Sequence, residues 1–162
     1  AGIYPLQDMV RVRELREDRA SKELARAKAA VSEAREALRK REQELEDYKK
    51  WRVVEEERLI QSIMLKKVRL GDISDLRLEI AALRERELKY TDAVKKAEGD
   101  LDQAIDKLEE ARKAHILAMQ DLEKLLEHRE IWEEEVKNEA ERQEELELED
   151  FRSSPLTQLT LE

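Results

Sequence analysis

Proline is missing from the whole stretch between Leu6 and Ser154; the chain's two prolines are Pro5 and Pro155. An interior proline removes a ladder hydrogen bond and clashes with the preceding turn, so nothing in that stretch forbids continuous helix. Glycine is almost as scarce, at Gly2, Gly71 and Gly99. Cysteine is absent, which excludes disulfides and thiolate metal sites and suits a reducing cytoplasm. A single phenylalanine, Phe151, is too little aromatic bulk for a compact globular core. No run of about 18 apolar residues occurs, so no membrane insertion is expected, and no signal-peptide pattern opens the chain. Phosphate-binding glycine loops, HExxH and Cys/His clusters are all missing. The two histidines, His115 and His128, stand thirteen apart, too far to share a metal from one helix. A pair of helices also offers no dry pocket in which carboxylates would acquire the shifted pKa values that acid/base catalysis needs. No catalytic, cofactor-binding or metal-binding residue is therefore expected, and no enzyme.

What fills the chain instead is charge and helix formers. Charged residues make up 45% of it, against about 25% in an ordinary globular domain. In the first half Leu24, Val31, Leu38 and Leu45 fall seven apart. Ala20, Ala27, Ala34 and Tyr48 make a companion row that Arg41 interrupts, and the two rows form the a/d seam of a coiled coil. Around Arg52 to Glu57 this seam reads as losing phase, with Trp51, Val54, Leu59 and Ile63 carrying a shifted stripe as after a stutter. In the second half the a row runs Ile80, Glu87, Val94, Leu101, Leu108, His115, Leu122, Arg129, Val136, Gln143. Its d row runs Leu83, Tyr90, Ala97, Ala104, Ala111, Ala118, Leu125, Trp132, Glu139, Leu146. Six of the ten a positions and nine of the ten d positions are apolar, well above chance for so charged a chain.

The pattern predicts an all-α fold: a long two-helix antiparallel coiled-coil hairpin over 3–150. The first arm would span about 5–70, starting at Tyr4-Pro5, where proline suits a first helical turn. The turn would span 70–75, with Gly71 as a left-handed C-terminal cap and Asp72 or Ser74 capping the next helix. The second arm would span about 75–150, passing through Gly99, and 151–162 would be a flexible tail. A bend at Gly71–Asp72 puts residue i opposite roughly residue 143 − i.

Charge is unevenly spread. Residues 1–71 hold 18 basic and 14 acidic residues, whereas 133–150 hold 2 and 10. Net charge −9 argues against nucleic-acid binding. Arg11, Arg13, Arg16 and Arg19 are candidates for an acidic partner or for pairing with the 133–150 block. His115 reads as a half-buried seam residue, and Trp132 as core against Arg11–Val12. Trp51, with Val54 and Leu59, is open to two readings, partner contact or core; exposed tryptophans are enriched in binding hot spots.

Tyr4-Pro5-Leu6-Gln7, then Val12-Arg13-Glu14-Leu15-Arg16 with Ala20, Leu24, Ala27 and Leu38, resembles the FliJ/YscO family. Trp51 to Leu59 and Trp132-Glu133-Glu134-Glu135 before an acidic end look like its YscO branch, from virulence type III secretion. The resemblance covers roughly 3–150. It implies a cytoplasmic stalk, peripheral to the inner-membrane secretion apparatus, that couples the hexameric secretion ATPase to the membrane export gate and binds secretion chaperones. By analogy with rotary-ATPase stalks the open end would enter the ATPase and the turn would face the gate. A chaperone escort and a plain coiled-coil spacer are the alternatives, and exposed apolar edges leave room for weak self-association.

Overall fold

The computed structural model describes residues 2–153 and contains two α-helices, α1 (Gln7–Met64) and α2 (Leu70–Arg152). They run 58 and 83 residues without a cis peptide or a positive-φ residue among those described. Such lengths follow from composition: Ala, Leu, Glu, Lys and Arg carry the lowest helix costs. Side-chain pairs one turn apart, such as Lys22–Asp18 at 3.0 Å and Arg41–Glu44 at 2.7 Å, line the exposed faces. Both helices thread two compact units, 1–22 with 113–162, and 23–112. Within each unit α1 and α2 pair antiparallel through a heptad seam, so the fold is the two-helix hairpin expected.

In the first of these units the chain enters α1 through a turn rather than at Pro5: Gln7 N donates to the Tyr4 carbonyl at 3.1 Å, and helix begins at Gln7. That turn folds Tyr4 onto α2, where Tyr4, Val10 and Leu125 form a buried cluster flanked by Leu6, Leu122, Leu126 and Trp132. Trp132 is thus core, but its neighbour is Tyr4, 5.4 Å away between ring centroids, rather than Arg11–Val12. Beyond Val136 every α2 residue is exposed as far as Ser153, because α1 supplies nothing opposite. Helix persists through Phe151 and Arg152, the first residues of the tail expected over 151–162; the rest of that segment, 154–162, and Ala1 lie outside the described residues.

In the other unit one seam row runs from Leu24 through Val31, Leu38, Leu45 and Arg52 to Leu59 in phase. The companion row shifts from Tyr48 to Glu56 and Ile63, with Ser62 exposed, so the expected stripe holds at Leu59 and Ile63 but not at Trp51 and Val54. Arg52 takes the heptad position, and its side chain is only 18% exposed, while Trp51 and Val54 are 46% and 68% exposed. Gly99 lies inside α2, as expected, with open space around it.

The turn sits five residues earlier than the sequence suggested. α1 ends at Met64, with Lys66 N donating to the Ile63 carbonyl at 3.2 Å, and α2 is already helical at Leu70. Gly71 is therefore in the first turn of α2, not a left-handed cap closing α1. Asp72 is not the N-cap either. It is the third helical residue, and its Oδ2 accepts from the Arg69 N–H at 3.2 Å, the back-reaching half of a capping box. An earlier bend moves each facing pair: Tyr48 meets Tyr90, not Lys95, and Arg52 meets Glu87, not Thr91.

Helical Gly71 and Gly99 each have room for a methyl group, with nothing within 4 Å of an added Cβ. Alanine at either position should stabilise the protein by about 0.5–1 kcal/mol, less at Gly71 if the helix end frays. Thermal melts of both variants check this; a lower melting temperature for Gly71→Ala would restore it to a left-handed cap.

Candidate interaction surface

Where the seam of the 23–112 unit meets Arg52, a polar layer replaces the apolar one. Arg52 Nη1 donates to Glu56 Oε1 at 2.9 Å, and Arg84 Nε reaches the same oxygen from α2 at 3.3 Å. Arg52 Nε lies 3.5 Å from Glu87 Oε2, inside ion-pair range, and makes no hydrogen bond. Side-chain exposures of 18%, 15% and 21% for Arg52, Glu56 and Glu87 make this a largely desolvated cluster. Burial alone would raise the Glu56 carboxyl; the hydrogen bonds from Arg52 and Arg84, with their charges, outweigh it and hold Glu56 below its ordinary 4.5.

One helical turn before this layer, Tyr48 and Tyr90 stack across the helices, centroids 4.6 Å apart and planes at 19°. The Tyr48 hydroxyl donates to the Leu83 carbonyl, and burial pushes its pKa above the usual value, so it remains a donor. Trp51 leans on Tyr48 at 5.7 Å, and the Arg86 guanidinium covers both rings at 5.6 and 5.9 Å. A guanidinium within about 6 Å of an aromatic face is attracted to it. Trp51 is therefore propped at the edge of a rigid stack with nearly half its surface open. Val54 is on a more exposed face, and Leu59 is half-buried on the Arg52 row facing a cleft with Ile63 and Leu76. The three do not form one stripe.

In the other unit, Tyr4 and His128 Nδ1 share a hydrogen bond, and Arg129 Nη1 reaches Gln7 Oε1 at 3.4 Å. His115, half-buried as expected, donates from Nε2 to Glu17 Oε1 at 3.0 Å. The four arginines part company. Arg13 is on the seam and donates from Nη1 to the Asp121 carbonyl at 2.7 Å, so it ties α1 to the α2 backbone. Arg11 has only a long, exposed pair with Asp8 at 3.9 Å, and Arg16 and Arg19 are exposed. In the acidic block, Glu139 pairs with Arg142 on the same helix at 3.6 Å.

Sequence reading missed the polar layer and Arg86. A signal for the layer was present: Arg52 lies seven residues after Leu45, and Glu87 is on the a row of the second arm, so opposite charges occupied both seams. Arg86 stands on neither row, and only the fold brings it over the rings.

Two long helices joined by a short turn and paired through heptads define a coiled-coil hairpin protein. Among the described residues no helix is long and apolar enough to cross a membrane, and no acidic, histidine or cysteine cluster could hold a metal. The family profile described as Type III secretion protein YscO matches residues 6–154, and the chain belongs to that family. Its structure is similar to the crystal structure of type III secretion protein YscO from Vibrio parahaemolyticus, with TM-score 0.83 and 31% identity over 91% of this chain and 92% of that one. It is also similar in fold to a YscO homologue from Chlamydia trachomatis, with TM-score 0.81 and 24% identity over 99% and 98% of the two chains. A search of the curated proteins finds no match.

Removing one member of the polar layer leaves the others buried and short of partners. Arg52→Ala should therefore cost about 1–3 kcal/mol. Because folding lowers the Glu56 pKa, its contribution is complete above 4.5 and is lost as pH falls through the lower folded value. Denaturant melts of the parent and Glu56→Gln should differ most near neutrality and converge on acidification; a constant gap would mean Glu56 is not ionised in the layer.

Proposed function

We propose that the chain is a cytoplasmic stalk of a type III secretion apparatus, peripheral to the inner membrane, which engages the secretion ATPase and passes its motion to the export gate. The observation that carries this reading is a hairpin whose helices stay paired through heptads in each unit, in a chain of the YscO family. A paired helix bends and twists less than a single one, so force applied at one point is delivered at another. Exposed Arg11, Arg16 and Arg19, with the acidic turns of α2 after Val136, offer charged surfaces suited to steering an encounter with an ATPase. Trp51, held by Tyr48 and Arg86, offers a rigid aromatic anchor for the gate or a secretion chaperone.

An escort that only carries chaperones needs the Trp51 surface and not the arginines. A spacer needs neither, and weak self-association would use the same exposed apolar edges. Pull-downs of the chain against the secretion ATPase and against secretion chaperones separate them. The stalk captures the ATPase, the escort captures only chaperones, and the spacer captures neither.

Two substitutions sharpen the test. Trp51→Ala should leave the helices intact and weaken gate or chaperone binding about 30-fold, the loss of a hot-spot residue. Charge reversal of Arg11, Arg16 and Arg19 together should weaken ATPase capture and spare the Trp51 partner. Arg13 is excluded because its guanidinium holds the α2 backbone. Unfolding of Trp51→Ala would make Trp51 core; normal binding and secretion by both variants would remove these surfaces from the function.

A further inference from the structure

The turn itself carries a surface that neither the seam nor the Trp51 stack uses. From Met64 to Gly71 the chain reads Met-Leu-Lys-Lys-Val-Arg-Leu-Gly, three cations without an acid, in a protein of net charge −9. Leu65 is 88% exposed, Leu70 86% and Met64 78%. A soluble surface seldom concentrates large apolar side chains so fully in water without a use for them. From these two features we propose that the turn is a peripheral docking site for a membrane surface rich in anionic lipid. Leu65 and Leu70 enter among the headgroups, and Lys66, Lys67 and Arg69 neutralise phosphates.

Shape favours a lipid surface over a protein groove. Side chains exposed to this degree on a tight turn make a convex tip, to which a fluid interface conforms, whereas a protein would need a pocket already cut to match. The interleaving of leucine with lysine and arginine is the composition that binds bilayer interfaces through apolar burial and attraction to anionic lipid together. Contact stays shallow, because the non-helical backbone of 65–69 carries polar groups that hydrocarbon would not satisfy. Among the described residues no helix is long and apolar enough to cross the membrane.

Local charge decides the sign of the interaction. At physiological salt charges more than about 8 Å from the membrane are largely screened, so the cations at the tip outweigh the net charge of the whole chain. The next acids along α2, Asp72, Asp75 and Glu79, share a cleft with Lys66 and Lys67, but no ion pair joins them among the described residues. The Asp72 carboxylate is turned to the Arg69 N–H. This proposal does not rest on the stalk reading, since it concerns the turn alone and uses lipid as the only partner.

The test is co-sedimentation of the full chain with phosphatidylcholine vesicles with and without phosphatidylglycerol, at low and raised salt. The chain should pellet with the anionic vesicles, less so as salt rises, and stay in solution with the neutral ones. Each cation near an anionic surface is worth about fivefold in binding, so a Lys66→Glu, Lys67→Glu, Arg69→Glu variant should bind at least about 100-fold more weakly. A Leu65→Ser, Leu70→Ser variant should also lose binding, and circular dichroism should show both variants as helical as the parent. Because the chain has no cysteine, Leu65→Cys can carry an environment-sensitive dye. Its emission should shift to the blue with anionic vesicles, while the same dye on Leu117→Cys should not respond. Failure to pellet with anionic vesicles overturns the proposal, and is the outcome expected if an acidic protein groove is the true occupant. Equal pelleting with neutral vesicles, binding unchanged in both tip variants, or an unmoved dye overturns it as well.

Discussion

A pair of helices has only one interface, so each seam residue finds its apolar neighbours on the facing helix or nowhere. Every other property of this chain follows from that constraint. Among the described residues its buried apolar side chains are few and scattered, Tyr4, Val10, Val31, Tyr48, Ala97, Ala104 and Leu125, and of these Val10 is fully buried. No inner layer exists beneath them. Helices within a folded protein gain most of their stability from a packed apolar face rather than from propensity, and here that face is a strip two residues wide. The rest of the surface must keep the chain in solution, which is why charge is so abundant and why it is arranged in pairs a turn apart.

A strip of this kind risks sliding, because leucine and alanine layers resemble one another from heptad to heptad. The polar layer at Arg52 and the aromatic layers at Tyr48–Tyr90 and Tyr4–Trp132 break that equivalence. Shifted by one heptad, Arg52 would keep Glu56 on its own helix, but Glu87 would lose its cross-helix cation and be left largely buried as an unpaired charge. Such a layer adds little net stability compared with leucine, but polar groups on a seam are a recognised means of fixing register. Register here determines where Trp51 and Arg86 meet, and so whether the exposed tryptophan is held or loose.

Surface left over from the seam is where contact with other proteins or with lipid can be made. Three places stand out for different physical reasons. Trp51 is a rigid aromatic edge with a cation over it. The last turns of α2 are an acidic single helix that α1 does not reach. The turn from Met64 to Leu70 is apolar and basic at once. All three are open surfaces on a type III secretion protein of the YscO family.

Sequence alone determined that the chain is two long helices, since proline-free heptads rich in alanine, leucine and charged residues leave no competing structure. It also determined the second-arm seam, because a and d rows that are mostly apolar admit one buried face. Where the first-arm row carries charge it misled: Arg52 looked like the start of a break in phase, though it lies on the seam against Glu87, which the second-arm row had already placed there. Only the tertiary structure shows this, because an ion pair across two helices is a property of their register and not of either segment. The same reason separates the glycine from the turn. Gly71 suits a cap by its conformational freedom, but the bend lies where the facing layers can all pair at once, and that balance is struck along the whole seam rather than at one residue.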